Sequence, residues 1–276
     1  MKQLESRVAV VTGAASGIGR ATSLLLAKQG CRLALADVDQ AGLEETRQQI
    51  AALGGAATVH RVDVADKAVM QDFANQVAHH YGAVNILVNN AGVSVTGDFA
   101  DQSLTDFEWL MGINFWGVVY GCKFFLPHLL AASEGHIVNV SSLFGLIGVR
   151  QQSSYCSSKF AVRGFSEALR LELADTRVGL SCVHPGGIAT NIVARSRLND
   201  DEKLRARHRR VIEQFKQMMP PERAAEIIVE GIKQNRARVL ISRETHVLDL
   251  LKRLAPTASS AMLDWSWKHM RSRVLE

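Results

Sequence analysis

The stretch "RVAVVTGAASGIGR", residues 7–20, runs from a short apolar segment through three glycines into a helical pattern. Val8 to Val11 form the near-continuous apolar run expected of a strand covered on both faces. Gly13, Gly17 and Gly19 follow with GxxxGxG spacing. That spacing meets three physical needs: a tight turn, close backbone approach to a pyrophosphate, and amide N–H groups at the positive end of a helix. A glycine-rich turn alone is a weak signal, but this one follows the first strand, and the next apolar run, "RLALAD" (32–37), ends in an acid. That acid, Asp37, can accept hydrogen bonds from adenosine ribose hydroxyls, while its charge would repel a 2′-phosphate. Val38 follows it, where a phosphate pocket would favour Arg. The expected cofactor is therefore NAD rather than NADP.

Outward from this unit, short apolar runs alternate with longer helical patterns. The runs are "ATVHRVD" (57–63), "VNILVNN" (84–90), "HIVNVSS" (136–142), "VGLSCVH" (178–184) and "RVLIS" (238–242). Between the first two strands "RATSLLLAKQG" has helical spacing and stops at Gly30, a helix-ending residue. Strand-helix-strand repetition predicts an α/β fold: a doubly wound parallel sheet of about seven strands, flanked by helices and joined by right-handed crossovers. At 276 residues such a fold need not be divided. The expected organisation is one dinucleotide-binding catalytic domain over 1–243, including a substrate flap at 188–220, and a helical tail at 244–276. "MMPPERAAEIIVEGI" predicts a turn and then a helix starting near Pro221. In the tail, Val247, Leu251 and Leu254, then Leu263, Trp267, Met270 and Val274, lie at helical spacing. This stripe is expected to pack on the chain itself or on a sister subunit, with interfacial membrane contact as the alternative.

Composition excludes several classes. With 47% hydrophobic and 21% charged residues, the chain matches an ordinary globular protein and not a disordered or fibrous one. The N-terminus lacks the apolar core of a signal peptide, and no uncharged apolar run approaches the roughly 20 residues of a membrane span. The four cysteines, Cys31, Cys122, Cys156 and Cys182, include no CxxC pair, so neither a disulfide framework nor a metal site is expected. A cytoplasmic protein is expected, with no integral membrane segment. The net charge of +5 is unevenly placed: "RSRLNDDEKLRARHRR" (195–210) holds seven Lys or Arg against three acids. It reads as a solvated helix or flap near an anionic ligand. No aromatic residue interleaves the charges as single-strand binding requires, and no nucleic-acid partner is expected.

The stretch "SSYCSSKFAVRGF" (153–165) places Tyr155 and Lys159 four residues apart, on one face of a helix. A tyrosine titrates near 10 and is a poor base at neutral pH. An adjacent ammonium and the positive charge of an oxidised nicotinamide would lower that value. Ser142, at the end of the fifth strand, can hold a substrate oxygen beside the phenol. The small Ser153, Ser154, Ser157 and Ser158 leave room for ligand, and Cys156 beside the tyrosine suggests sensitivity to alkylation.

Taken in order, "TGAASGIG", "NNAG" (89–92), "IN" ending at Asn114, "VNVSS" ending at Ser142, "YCSSK" and "HPGGIAT" (184–190) make the sequence resemble the short-chain dehydrogenase/reductase family over residues 7 to about 242. The resemblance implies a Rossmann fold and a secondary alcohol dehydrogenase or ketone reductase. It implies that Ser142 polarises the substrate oxygen, Tyr155 exchanges the proton, Lys159 binds the nicotinamide ribose and lowers the Tyr155 pKa, and Asn114 holds a relay water. Implied cofactor contacts are Gly13, Ser16, Gly17, Ile18, Gly19, Asp37, Asp63, Val64, Asn90, Ala91, Gly92, Tyr155, Lys159, Pro185, Gly186, Ile188 and Thr190. Family members pair their two long helices across subunits, so a homodimer or homotetramer is expected, using 104–131 and 153–174. Expected pocket walls are Ser94, Val95, Leu143, Phe144, Gln152, Ile192, Val193, Phe215, Met218 and Met219, which favour a lipophilic alcohol or ketone. An anionic substrate, and an isomerase using the same cofactor, remain as alternatives.

Overall fold

The structure is a computed structural model that describes residues 1–199 and 202–259. In chain order its elements are β1 (Val8–Thr12), α1 (Gly17–Lys28), β2 (Arg32–Asp37), α2 (Gln40–Ala52), β3 (Ala57–Arg61), α3 (Lys67–Tyr81), β4 (Ile86–Asn89), β5 (Val95–Thr96), α4 (Leu104–Met111) and α5 (Gly117–Ala131). There follow β6 (Gly135–Val140), α6 (Ser153–Glu172), β7 (Val178–Pro185), β8 (Arg197–Leu198), α7 (Glu202–Lys216), α8 (Pro221–Lys233), β9 (Arg238–Ile241) and α9 (Arg243–Leu254).

Seven strands form one parallel sheet in the order β3-β2-β1-β4-β6-β7-β9, as the alternating pattern predicts. The strands are apolar on both faces because both are covered. Ala9 and Val11 of β1 face one core with Leu26 of α1, Leu43 and Ile50 of α2, and Ile228 and Ile232 of α8. Val10 faces the other, with Phe73 and Val77 of α3, Phe125 and Leu129 of α5, and Val162 and Leu169 of α6. The strand order reverses between β1 and β4, and such a switch opens a crevice at the carboxyl ends of the strands.

Pro221 opens α8, where its missing N–H costs nothing. The apolar run Leu104–Ala131 is the one described helix long and apolar enough to cross a bilayer. Here it flanks the sheet with Val118, Cys122, Phe125 and Leu129 buried. Its middle, Gly112–Trp116, is a π-turn carrying Asn114.

Two members of the expected α9 stripe do not pack on the chain itself. Within α9, Val247 and Leu254 are 56% and 75% exposed, whereas Thr245 is buried and Leu248 packs against Leu143, Leu146 and Ile147. The Thr245 hydroxyl bonds that of Ser242 at 3.0 Å. This contact and the Leu248 packing turn a neighbouring stripe inward. The expected contacts of Leu263, Trp267, Met270 and Val274 lie outside the described residues.

Candidate active site

The switch-point crevice is a cleft of about 730 Å³. At one end stands the glycine turn. Gly13 has φ +66°, and a Cβ there would lie 2.8 Å from the Ala91 Cα; at Gly19 it would run into the Gly13 carbonyl. The turn therefore packs against the end of β4 in a way only glycine permits. Thr12, which sequence reasoning did not single out, fixes this contact. Its Oγ1 accepts from the N–H groups of Asn90 and Ala91 at 3.0 and 3.1 Å. The Asn90 side chain donates to the carbonyls of Thr12 and Gly13 at 3.0 and 3.2 Å, so it ties the loops together while the 90–92 segment faces the cleft.

Several features fit a dinucleotide. Ser16, at the start of α1, makes no side-chain cap bond, and the first turn of α1 carries no acid; an anion can satisfy those helix-end N–H groups. Asp37 is held by Ala15 N–H at 3.0 Å and Asp39 N–H at 3.1 Å, which aims its carboxylate along the cleft wall. Gly13, Ser16, Gly17, Ile18, Asp37, Asp63, Val64, Asn90, Ala91, Gly92, Tyr155, Lys159, Pro185, Gly186, Ile188 and Thr190 all line this one cleft. Gly19 and Asn114 do not; both are buried behind it.

The helix α6 carries Tyr155 and Lys159 one turn apart, with the Lys159 Nζ 5.7 Å from the Tyr155 ring centroid. The Nζ donates to the Val140 carbonyl at 3.0 Å. Ser142 lines the cleft together with Tyr155 and acts to lower the pKa of its phenol, whereas the Ser141 hydroxyl is occupied by the Lys159 carbonyl at 2.8 Å. Behind Ser142, the His184 Nδ1 donates to its carbonyl at 3.1 Å. Asn114 accepts from Val93 N–H at 2.8 Å and donates to the Val93 carbonyl at 3.0 Å and the Ser158 hydroxyl at 3.2 Å. It therefore braces the loop beside Gly92, where a Cβ would lie 3.3 Å from its Oδ1 and 3.5 Å from the Lys159 Nζ.

The electrostatics correct one expectation. Tyr155 keeps part of its surface open to the cleft, yet burial pushes its phenol up to about 12, against the lowering effect of Ser142. Burial also pulls Lys159 down to about 8. Desolvation disfavours the charged form of each, and the ammonium is turned to the Val140 carbonyl. The polypeptide alone thus holds a protonated phenol at neutral pH. Cys156 is buried and burial raises its thiol, which makes it a poorer nucleophile and opposes the expected alkylation sensitivity.

A flap closes the other end. β8 pairs in parallel with β5, and the Arg197 guanidinium lies 3.5 Å from the Trp109 ring centroid while ion-pairing with Asp106 at 2.6 Å. Arg195 reaches Asp39 at 3.6 Å across the adenosine end. Of the expected walls, Ser94, Leu143, Phe144, Gln152, Ile192, Val193, Phe215 and Met218 line the cleft. Val95 and Met219 do not. Val95 is 1% exposed within β5, and Met219 bridges Ile188 and packs on the core beneath. The basic segment forms α7, an amphipathic lid: Leu204, Arg207, His208, Val211 and Phe215 line the cleft, whereas Arg205, Arg209 and Arg210 face solvent.

Comparison with known proteins gives the family. The short chain dehydrogenase family model matches residues 7–201. SadH of Mycobacterium tuberculosis is 43% identical over 92% of this chain and 92% of its own. The cyclohexanol dehydrogenase of Acinetobacter sp. strain SE19 is 34% identical over 70% of this chain and 77% of its own. A short chain dehydrogenase/reductase from Burkholderia phymatum, crystallised with NAD, superposes with a TM-score of 0.87 at 30% identity, covering 92% of this chain and 95% of that one.

Proposed function

This chain belongs to the short-chain dehydrogenase/reductase family and is an oxidoreductase of it, and we propose that it interconverts a lipophilic secondary alcohol and its ketone with NAD(H). The observation that carries the reading is the convergence of Ser142, Tyr155 and Lys159 on the cleft that also holds the glycine turn and Asp37. The α1 N-terminus would take the pyrophosphate, Asp37 the adenosine ribose, Asp63 and Val64 the adenine, and Ile188 and Thr190 the carboxamide. A nicotinamide held there would supply or accept the hydride and, when oxidised, would add a positive charge that favours the phenolate.

The protein's own part is acid-base chemistry. The Ser142 hydroxyl orients the substrate oxygen, and Tyr155 gives its proton to that oxygen in reduction and takes it in oxidation. Lys159 holds positive charge beneath the phenol and reaches the nicotinamide ribose. Asn114 keeps the Val93 loop and Ser158 in register beneath them.

Two features support a lipophilic substrate: the apolar walls Leu143, Phe144, Val149, Val193, Val211 and Phe215, and the similarity to a cyclohexanol dehydrogenase. The negative charge of Asp37 favours NAD over NADP. The test is a screen of secondary alcohols at the NADH absorbance band with each cofactor. The proposal expects turnover of apolar secondary alcohols with a higher kcat/KM for NAD; a higher value for NADP, or no NADH formation across the panel, would overturn it.

A further inference from the structure

Gln152 holds the N-cap position of α6, three residues before Tyr155, yet its side chain makes no cap bond. It lines the cleft instead, where its Nε2 donates to the Thr96 Oγ1 at 2.9 Å. The Thr96 hydroxyl lies 3.1 Å from that of Ser196 in the flap, and the Ser196 hydroxyl donates to the Arg197 carbonyl at 3.2 Å. The Cys156 N–H closes the first turn of α6 on the Gln152 carbonyl at 2.7 Å. Side chains three apart on such a turn are neighbours, with Cβ atoms about 5–6 Å apart, so the amide stands beside the phenol in one cleft.

The hydroxyl chain fixes which way the amide points. With the Ser196 proton on the Arg197 carbonyl, the Thr96 proton goes to Ser196 and the Thr96 oxygen is left to accept. The nitrogen of the amide, not its oxygen, must therefore face Thr96. That leaves Oε1 as the free end, and a carbonyl oxygen only accepts. Oε1 takes no hydrogen bond from any described residue, and it is not among the buried unpaired atoms, so on this half-buried side chain it keeps open surface. The walls Leu143, Phe144, Val149, Val193 and Phe215 have no side-chain donor to give it. A simple hydrocarbon alcohol strips water from Oε1 and returns nothing once its one hydroxyl lies on Ser142 and Tyr155.

Resting on the dehydrogenase reading above, we infer that Gln152 is a specificity-determining residue whose Oε1 accepts a hydrogen bond from a second hydroxyl of the substrate, one helical turn from the oxygen that meets Tyr155. The preferred substrate is then an otherwise apolar diol or hydroxy ketone. A site built to bond a hydroxyl discriminates against the analogue that lacks it more strongly than an apolar wall discriminates on size.

The experiment compares kcat/KM for matched pairs that differ by one hydroxyl, cyclohexanol against the 1,3- and 1,4-cyclohexanediols and secondary alkanols against their ω-hydroxy counterparts. It uses the full-length wild type, the near-isosteric Gln152→Met, and Gln152→Glu. If Gln152 only braced Thr96 and the flap, its loss would affect both members of a pair alike, so the diol-to-alcohol ratio isolates the contact. In the wild type at least one diol should exceed its partner by about tenfold. Gln152→Met should bring that ratio to one or below, and Gln152→Glu, which keeps an acceptor, should stay above it. An equal ratio in wild type and Gln152→Met, no diol preference in the wild type, or a ratio no higher in Gln152→Glu than in Gln152→Met overturns the role of Gln152 while leaving the dehydrogenase reading intact. No turnover of any alcohol by the wild type refutes the dehydrogenase reading and this inference with it. If Gln152→Met fails to fold, the side-chain amide ¹⁵N resonance of Gln152 in the wild type decides: it moves when diol is added with NAD and not when the mono-alcohol is, and equal response to both overturns the inference.

Discussion

Tyr155 and Lys159 show the residue scale most plainly, because one burial acts on both in opposite directions. With the phenol pushed up to about 12, the proton needed for ketone reduction is present throughout the neutral range, whereas alcohol oxidation must begin from the scarce phenolate. Initial rates in both directions should therefore separate: oxidation rises from neutral to alkaline pH while reduction stays level. An oxidation rate that falls toward alkaline pH would contradict Tyr155 as the base. At the other end of the cleft, Asp37→Ser removes a charge that repels a 2′-phosphate, and should lower the NAD-to-NADP ratio of kcat/KM by about tenfold or more. Cys156, one residue from the tyrosine but buried with a raised thiol pKa, should survive iodoacetamide under native conditions, with mass spectrometry showing no adduct and activity retained.

At the scale of elements, the flap is held by contacts between distant segments. Arg197 stacks on Trp109 and pairs with Asp106 of α4, and β8 adds backbone bonds to Ser94 and Thr96. A cation over an indole and a half-exposed ion pair each contribute on the order of 1 kcal/mol. Arg197→Ala should thus raise substrate KM about three- to tenfold with a smaller change in kcat, and should speed proteolytic cleavage between 188 and 220. This anchoring could not be read from the sequence, since Trp109 and Arg197 carry no motif and meet only through the fold. The strands were legible because a doubly covered strand must be apolar throughout, as in "RVAVVT". The residues at strand ends and on α6 were legible because cofactor and proton chemistry restrict them to few residue types. The inward turn of His208 and the face chosen by α9 depend on helix rotation over neighbours, which periodicity leaves open to within a residue. The rise of the Tyr155 pKa depends on how tightly the walls close, which no spacing encodes.

The whole molecule leaves an aromatic face on α5 and α6 to be covered. Trp116 at the end of the π-turn and Tyr120 and Phe124 of α5 stack in a row with centroids 5.7 and 6.2 Å apart, and Trp116 and Phe160 are among the exposed large apolar side chains. An exposed apolar patch of this kind marks an interaction surface. We propose that two copies pair through these helices, which brace the Tyr155 end of the cleft. Light scattering should give a dimer or tetramer, and Trp116→Glu with Phe160→Glu should shift it toward monomer; a monomeric wild type at micromolar concentration would contradict the pairing.

The central claim is that Tyr155 passes the proton at the substrate oxygen while the rest of the cleft holds the cofactor. Turnover and NAD affinity measured together on Tyr155→Phe test it most directly. A fall in kcat of about 10²–10⁴-fold with the NAD dissociation constant nearly unchanged is the predicted result; near wild-type turnover in that variant would contradict it.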